Sequence, residues 1–297
     1  MSPQERRNLG LADAYRFFTP LILMTELNMI SKSAIHAFLA RADNPGATLA
    51  AFNTAFTFYY AITSASEVTA PLALAWLKGR AELGYLFGFM VLIMGVPLAL
   101  VGITSFTSAG EWFYGDVFGL GKRATADAQL TAGILLVSAP ILLARGLAFA
   151  LLMRARLTLL ITSSTLIRLV SLAGSLAFWP FILDGAAIGA AALVTCMAVE
   201  TTFAWAFAWR QWRALPPQAP RRPGYWSMWQ FAWPLAMNQS AELGVVFTIN
   251  IFLGRLPGAE LAIAAFGVAH GLVGVLLGPM RNLSHTAQTL LAKHEDV

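Results

Sequence analysis

Eight long apolar segments, separated by short polar stretches, dominate the pattern of hydrophobic and polar positions along the chain. They run approximately over residues 17–39, 49–77, 84–106, 129–153, 157–182, 186–209, 229–253 and 261–291. A helix rises about 1.5 Å per residue, so about 20 apolar residues cross a hydrocarbon core about 30 Å thick. The apolar runs are continuous and do not alternate with a period of two, which indicates helices. The pattern therefore predicts an all-α polytopic membrane protein with eight transmembrane helices, kinked or tilted at Pro71 and Pro279.

Composition supports the same class of protein. Of the 297 residues, 58% are hydrophobic and 12% are charged, whereas a soluble globular chain has about 25% charged residues. These values exclude a disordered chain, a coiled coil and a disulfide scaffold, and they argue against a soluble enzyme. The single cysteine, Cys196, permits no intrachain disulfide. The four histidines show no paired metal-ligand spacing, so we expect neither a metal nor another cofactor.

The distribution of Lys and Arg predicts the orientation in the membrane. With the N-terminus inside, the inner segments hold 12 of these residues and the outer loops hold 4, namely Arg41, Lys122, Arg123 and Arg255. Because basic residues concentrate on the cytoplasmic side, both termini are expected inside. The first apolar run is too long for the apolar core of a cleavable signal peptide. We therefore expect a multi-pass protein of the inner (plasma) membrane.

The chain also contains an internal repeat with a constant offset of 214 residues. The matched positions include Phe17 and Phe231, Pro20 and Pro234, Arg41 and Arg255, and Ala50-Ala51-Phe52 and Ala264-Ala265-Phe266. The offset spans six predicted helices, an even number, so both copies enter the membrane in the same direction as a parallel repeat. This predicts one six-helix lobe, residues 1–211, followed by the first two helices of a second lobe, residues 228–297. A basic, proline-rich cytoplasmic linker, residues 212–227, joins them.

The second repeat unit is shorter than the first. The chain ends after the second helix of that unit, so we expect a truncated product. The alternatives are a family that has lost four helices, or a homo-oligomer that supplies the missing half.

Several short motifs resemble the multidrug and toxin extrusion superfamily, which includes lipid-linked oligosaccharide flippases. Phe17-Phe18-Thr19-Pro20-Leu21 resembles the start of its first lobe, and Phe231-Ala232-Trp233-Pro234-Leu235 resembles the start of its second. Within the superfamily, Leu166-Ile167-Arg168-Leu169-Val170 and Pro279-Met280-Arg281 are similar to the progressive ankylosis protein family. The resemblance implies a two-lobed exporter of twelve helices around a central cavity. In that family it implies export of small anions such as pyrophosphate, nucleotides or citrate. The early end of this chain departs from the pattern.

Polar and charged residues within the apolar segments are the candidate functional residues, because a charge inside the bilayer costs about 2.5–3.5 kcal/mol on insertion scales. The resemblance implies that the first, second, seventh and eighth helices face the central cavity. The predicted substrate path consists of Glu26, Asn28, Lys32, His36, Asn53, Glu67, Asn238, Glu242, His270 and Arg281. Asn28, Lys32 and His36 are spaced four residues apart and form one polar helix face. Polar packing between helices is the alternative interpretation.

Three further charges, Arg145, Arg168 and Glu200, are predicted to form structural ion pairs inside the first lobe. Glu67 and Arg281 occupy equivalent positions in the two repeats, so a pseudo-two-fold axis would bring them together as a gate between the lobes. Lys32 and Arg281 would then supply positive potential for an anion.

The sequence thus favours a secondary transporter, with no enzymatic activity, that exports a small anionic solute by alternating access. Its expected partners are the lipid bilayer and a small-molecule anion or ion, and no nucleic acid. One alternative is an inactive fragment or a non-transporting membrane scaffold. Another is a lipid-linked saccharide flippase or a drug antiporter. A membrane-embedded enzyme would need a convergent metal or carboxylate cluster, which the sequence lacks.

Overall fold

The structure is a computed structural model that describes residues 11–217 and 224–291. Within these ranges the side chains of residues 11–18, 20–21, 24–25, 28, 242 and 278–291 are not described. The described part of the chain contains ten α-helices and no strand: α1 (Leu11–Leu39), α2 (Pro45–Thr63), α3 (Thr69–Trp76), α4 (Ala81–Phe106), α5 (Lys122–Leu136), α6 (Ser138–Arg154), α7 (Thr158–Phe178), α8 (Ala186–Ala214), α9 (Tyr225–Leu253) and α10 (Ala259–Leu291). A 3-10 helix at Ser64–Val68 joins α2 to α3, and a π-helix at Glu111–Val117 lies between α4 and α5.

Local sequence signals place the helix starts. The Asn44 side chain accepts a hydrogen bond from the Ala47 backbone N–H at 3.4 Å, and Pro45 follows it at the first helical position. Such a cap satisfies one of the free N–H groups at the start of α2, and the fixed φ of proline suits that position. At the start of α8, Gly185 has a φ of 59°, which favours glycine over residues with a Cβ.

Five helical segments, with α5 and α6 taken as one, are long and apolar enough to cross a membrane within the described residues, namely Ala81–Phe106, Lys122–Arg154, Thr158–Phe181, Ala186–Ala214 and Ala259–Leu277. They coincide with the predicted third, fourth, fifth, sixth and eighth spans. The segments of the other three predicted spans are also helical but are not among the five. The structure is therefore compatible with a multi-pass membrane protein. The count of eight spans, the repeated lobes and the orientation stay predictions.

Many large apolar side chains lie on the outer surface of the bundle, and several polar side chains are buried within it. Large apolar side chains such as Val96 and Val170 are 71% and 76% exposed, whereas Glu200 and Asn53 are buried. In hydrocarbon a polar group has no water to bond, so it must face protein, while apolar side chains lose nothing by facing outward. The outward faces of these helices therefore suit a lipid environment.

Helix α8 lies at the centre of the α1–α8 bundle, against α5, α6 and α7. Gly189 permits this packing, since a Cβ at that position would lie 2.9 Å from both Ile35 Cγ2 and Phe52 Cε2. Trp205 Nε1 donates a hydrogen bond to the Ala144 carbonyl at 2.9 Å and ties α8 to α6. The middle parts of α6, α7 and α8 are thus brought side by side.

The last two helices pack directly on the first two. Helix α9 lies against α2 and the 3-10 segment, and α10 lies against α1 and α2. The predicted linker begins as a fixed segment, because the Pro216 and Pro217 carbonyls accept hydrogen bonds from the backbone N–H groups of Arg80 (2.9 Å) and Ala81 (3.2 Å). Residues 218–223 of the linker lie outside the described residues.

Candidate functional site

The candidate site forms where the helix of the predicted second span is broken. Residues Ser64–Val68 are wound as a 3-10 helix between α2 and α3. Pro71 has no backbone N–H, so it cannot donate to the carbonyl of Glu67, four residues earlier. The kink that Pro71 predicts therefore appears as an interruption on its N-terminal side, and Glu67 lies within it.

Hydroxyl side chains support the break by bonding to backbone carbonyls. Thr63, Ser64 and Thr69 donate to the carbonyls of Tyr59 (2.6 Å), Ala61 (3.0 Å) and Ser66 (2.6 Å). Such bonds give carbonyls a partner where the regular helical pattern fails. A 3-10 stretch inside a helix often marks a functional hinge, and broken helices in membrane transporters often carry the binding site.

Four charged side chains meet beside the break, and we call them the charge network: Glu67, Arg145, Arg168 and Glu200. Arg145 Nη1 and Arg168 Nη1 lie 3.3 Å and 3.5 Å from Glu200 Oε2. Arg145 Nη2 lies 3.8 Å from Glu67 Oε1. Thr165 donates a hydrogen bond to Glu200 Oε1 at 3.1 Å. The network joins α6, α7 and α8 to the 3-10 segment.

The members of the charge network differ sharply in exposure. The Glu200 side chain is 0% exposed, while those of Arg168 and Arg145 are 7% and 14% exposed. The Glu67 side chain is 48% exposed. The buried part of the network therefore holds two positive charges and one negative charge, and Glu67 balances it from the accessible side. Because charges interact strongly where the dielectric is low, this fourth charge matters to the stability of the other three.

A cavity of about 50 Å³ lies at the accessible side of the network. It is lined by Ser66, Glu67, Ala70, Leu142, Arg145, Gly146 and Phe149. A cavity needs about 10–15 Å³ of this kind of volume to hold one water, so this cavity is large enough for a small polar group. The Arg145 guanidinium carbon lies 5.7 Å from the centre of the Phe149 ring, a cation–π arrangement that steadies its side chain.

Close packing of α6 on α3 brings Arg145 to Glu67. A Cβ at Gly146 would lie 2.8 Å from Thr69 Cβ, closer than such atoms normally approach. Glycine at this position lets the two helices approach one another. Gly146 therefore shapes one wall of the cavity.

A second polar region lies where α10 meets α1 and α2. His36 and Asn53, both predicted path residues, are 3% and 1% exposed. A Cβ at Gly267 of α10 would overlap the Asn53 amide, and one at Gly271 would lie 3.6 Å from His36 Nδ1. Among the described residues, His36 Nε2 and both Asn53 amide atoms have no hydrogen-bond partner. These two residues lie in a tight helix contact and do not reach the charge network through any described bond.

The other predicted path residues are more scattered. Lys32 Nζ lies 5.0 Å from the centre of the Phe56 ring, and the His270 ring stacks on Phe266 at 5.8 Å. Asn238 is exposed, and Glu26 is partly buried. Thus Glu67 alone of the described path residues joins the charge network.

Three predicted path residues, Asn28, Glu242 and Arg281, lie outside the described side chains. The predicted gate between Glu67 and Arg281 is therefore not described. The ion pair that the structure shows for Glu67 is with Arg145. The predicted structural charges Arg145, Arg168 and Glu200 lie together as ion pairs, but Arg145 also borders the cavity.

Sequence reasoning missed the neutral neighbours of these charges. Thr165 lies three residues before Arg168, and Phe149 lies four residues after Arg145. Residues at these spacings share a helix face, which was the available signal. Ser66 is one of several polar residues of the second apolar segment, but its place beside Glu67 in the cavity depends on the 3-10 winding.

In comparisons with known proteins, no family model, no curated protein and no solved structure matches the chain. The site is therefore interpreted from its own geometry, and the resemblance to the extrusion superfamily stays an expectation.

Proposed function

We propose that the chain is a secondary membrane transporter that exports a small anionic solute by alternating access. The observation that carries this proposal is the charge network at a broken helix inside an apolar bundle. Ionisable groups at membrane depth are expensive and commonly mark an ion or solute pathway. Because Glu67 is half-exposed and lies at a helix interruption beside a cavity, a solute can reach the network there.

Contacts at the predicted outer end join α9 and α10 to the α1–α8 bundle. Phe247 of α9 packs against Phe58 at 6.0 Å and Phe118 at 5.5 Å between ring centres. The backbone N–H of Gly121 donates a hydrogen bond to Glu260 Oε1 at 3.0 Å. We call these the outer contacts. In the proposed mechanism they close the outer side, and they separate when α9 and α10 move away from the α1–α8 bundle.

Flux through proteoliposomes tests the proposal. The purified chain is reconstituted and the entry of labelled citrate, pyrophosphate and sulfate is compared with that of a neutral sugar. The expected result is saturable anion entry that exceeds the leak into protein-free vesicles. If the inserted, folded protein moves none of these anions faster than that leak, the proposed function is wrong.

A further inference from the structure

We infer that Arg145 binds an oxyanion group of the solute, and that this group replaces the Glu67 carboxylate as the partner of Arg145. This inference rests on the proposed function. The sequence pointed to Lys32 and Arg281 for the positive potential. The structure offers a different cation, because Arg145 borders a cavity that also contains the acidic side chain of Glu67.

The two ends of the Arg145 guanidinium have different partners. Nη1 faces the fully buried Glu200 carboxylate at 3.3 Å. Nη2 faces Glu67 at 3.8 Å, beyond hydrogen-bond distance. Nη1 is thus held by the buried Glu200 carboxylate, whereas Nη2 contacts the half-exposed Glu67 carboxylate at a longer distance. An arriving anion can take the second end while Glu200 keeps the side chain in place.

Charge balance favours this exchange. Arg145 and Arg168 share the single buried carboxylate of Glu200. When Glu67 turns away, the remaining three groups carry one net positive charge in surroundings of low dielectric. An anionic group that enters the cavity supplies the negative charge that Glu67 has withdrawn, whereas a cation or a neutral group does not.

Shape favours an oxyanion over a halide. The N–H groups of a guanidinium are arranged as a fork that matches two oxygens of a carboxylate, phosphate or sulfate. Glu67 is itself a carboxylate, so its replacement makes the same kind of contact. The cavity of about 50 Å³ admits one such group and leaves the rest of a larger solute outside.

Binding to the purified full chain in detergent tests the inference without any transport step. Citrate, phosphate and sulfate are titrated at constant ionic strength set with sodium chloride, and the dissociation constants are measured by calorimetry. The oxyanions are expected to bind despite excess chloride. Glu67→Gln removes the competing carboxylate while keeping its shape, so it is expected to tighten binding about tenfold. Arg145→Lys keeps the charge without the fork and is expected to weaken binding about tenfold.

Arg210→Lys is the matched control, since Arg210 is an exposed arginine on α8; its affinities are expected to equal those of the unchanged chain. Unchanged or weaker binding in Glu67→Gln overturns the inference, and so does unchanged binding in Arg145→Lys. If the protein binds phosphatidylglycerol added to the micelles but none of the free anions, the inference is also overturned, because the ligand is then a lipid headgroup. Both variants keep a polar side chain in the network, so we expect them to fold. Circular dichroism and gel filtration verify this.

The two proposals fail separately. If the protein moves anions into vesicles but neither substitution changes the binding affinity, the proposed transport function holds and Arg145 is not the binding residue. If both substitutions change the binding affinity as expected but the protein moves no anion, the anion site holds and the proposed transport function is wrong.

Discussion

At the scale of single residues, Glu200 has the largest structural role in the site. Its carboxylate is fully buried and accepts contacts from two arginines and from Thr165. A buried charge that loses its partner is strongly destabilising, because neither water nor another group compensates it. Glu67 cannot take over this role, since it lies on the accessible side of Arg145.

Replacing Glu200→Gln should therefore destabilise the protein by about 3 kcal/mol, because the buried arginines lose the carboxylate that they share. The free energy of unfolding is measured in detergent by denaturant titration. Glu111→Gln is the control, since Glu111 is an exposed acid in the π-helix and its replacement should change stability by less than about 0.5 kcal/mol. Equal stabilities for the two variants would contradict the structural role of Glu200.

At the scale of elements, glycines set how closely the helices approach. Gly189 lets α8 lie against Ile35 of α1 and Phe52 of α2, and Gly146 lets α6 lie against α3. Small residues in membrane helices commonly serve this purpose, because close contact compensates for the weak hydrophobic driving force in lipid. The positions of Arg145 and Glu200 follow from these two close contacts.

Gly189→Ala should destabilise the bundle by about 1–3 kcal/mol, because its new methyl group would meet three buried side chains at 2.9–3.1 Å. Thermal unfolding in detergent measures the effect. Gly174→Ala on α7 is the matched control, because a Cβ there meets nothing within 4 Å. The control should be neutral or slightly stabilising, as alanine favours helix. If Gly189→Ala and Gly174→Ala unfolded at the same temperature, the described packing of α8 would be wrong.

At the scale of the whole molecule, α9 and α10 meet the α1–α8 bundle at both predicted ends of the membrane. The outer contacts join Phe118 and Gly121, before α5, to Phe247 of α9 and Glu260 of α10. At the opposite end, Tyr225 stacks on Tyr85 with ring centres 4.5 Å apart. Alternating access requires one of these two sets of contacts to open while the other closes.

Locking the outer contacts should therefore stop transport. Cysteines at Gly121 and Glu260, in a Cys196→Ser background, are joined by a reversible thiol crosslinker. Anion flux should fall to the leak level and recover when a reductant is added. The control pair is Thr107 and Gln129, where Gln129 Nε2 donates a hydrogen bond to the Thr107 carbonyl at 3.1 Å within the bundle. A crosslink between cysteines at these two positions should leave flux unchanged. Full flux in the crosslinked outer pair would exclude this motion.

A single cysteine at Glu260, in the same Cys196→Ser background, tests the predicted orientation. A membrane-impermeant thiol reagent should label a cysteine at Glu260 in intact cells, since that loop is predicted outside. Labelling that appears only after the cells are opened would reverse the topology.

What the sequence determined by itself was the all-helical class and the approximate positions of the helical segments, but not the break at Val137 that separates α5 from α6. Continuous apolar runs, the cap at Asn44 and the proline at Pro71 act locally, so the helical segments could be read from the chain without knowledge of the packing. It also determined that Arg145, Arg168 and Glu200 need partners, because an unpaired charge in an apolar segment is too costly to face lipid.

Only the tertiary structure decided which charges meet. The repeat placed Glu67 opposite Arg281, but the described ion pair of Glu67 is with Arg145. Pairing depends on how each helix is rotated about its axis and how closely it approaches its neighbours. Here those quantities are set by the 3-10 winding at Ser64–Val68 and by close contacts at Gly146 and Gly189. Such contacts arise between residues far apart in the chain, so no local pattern encodes them.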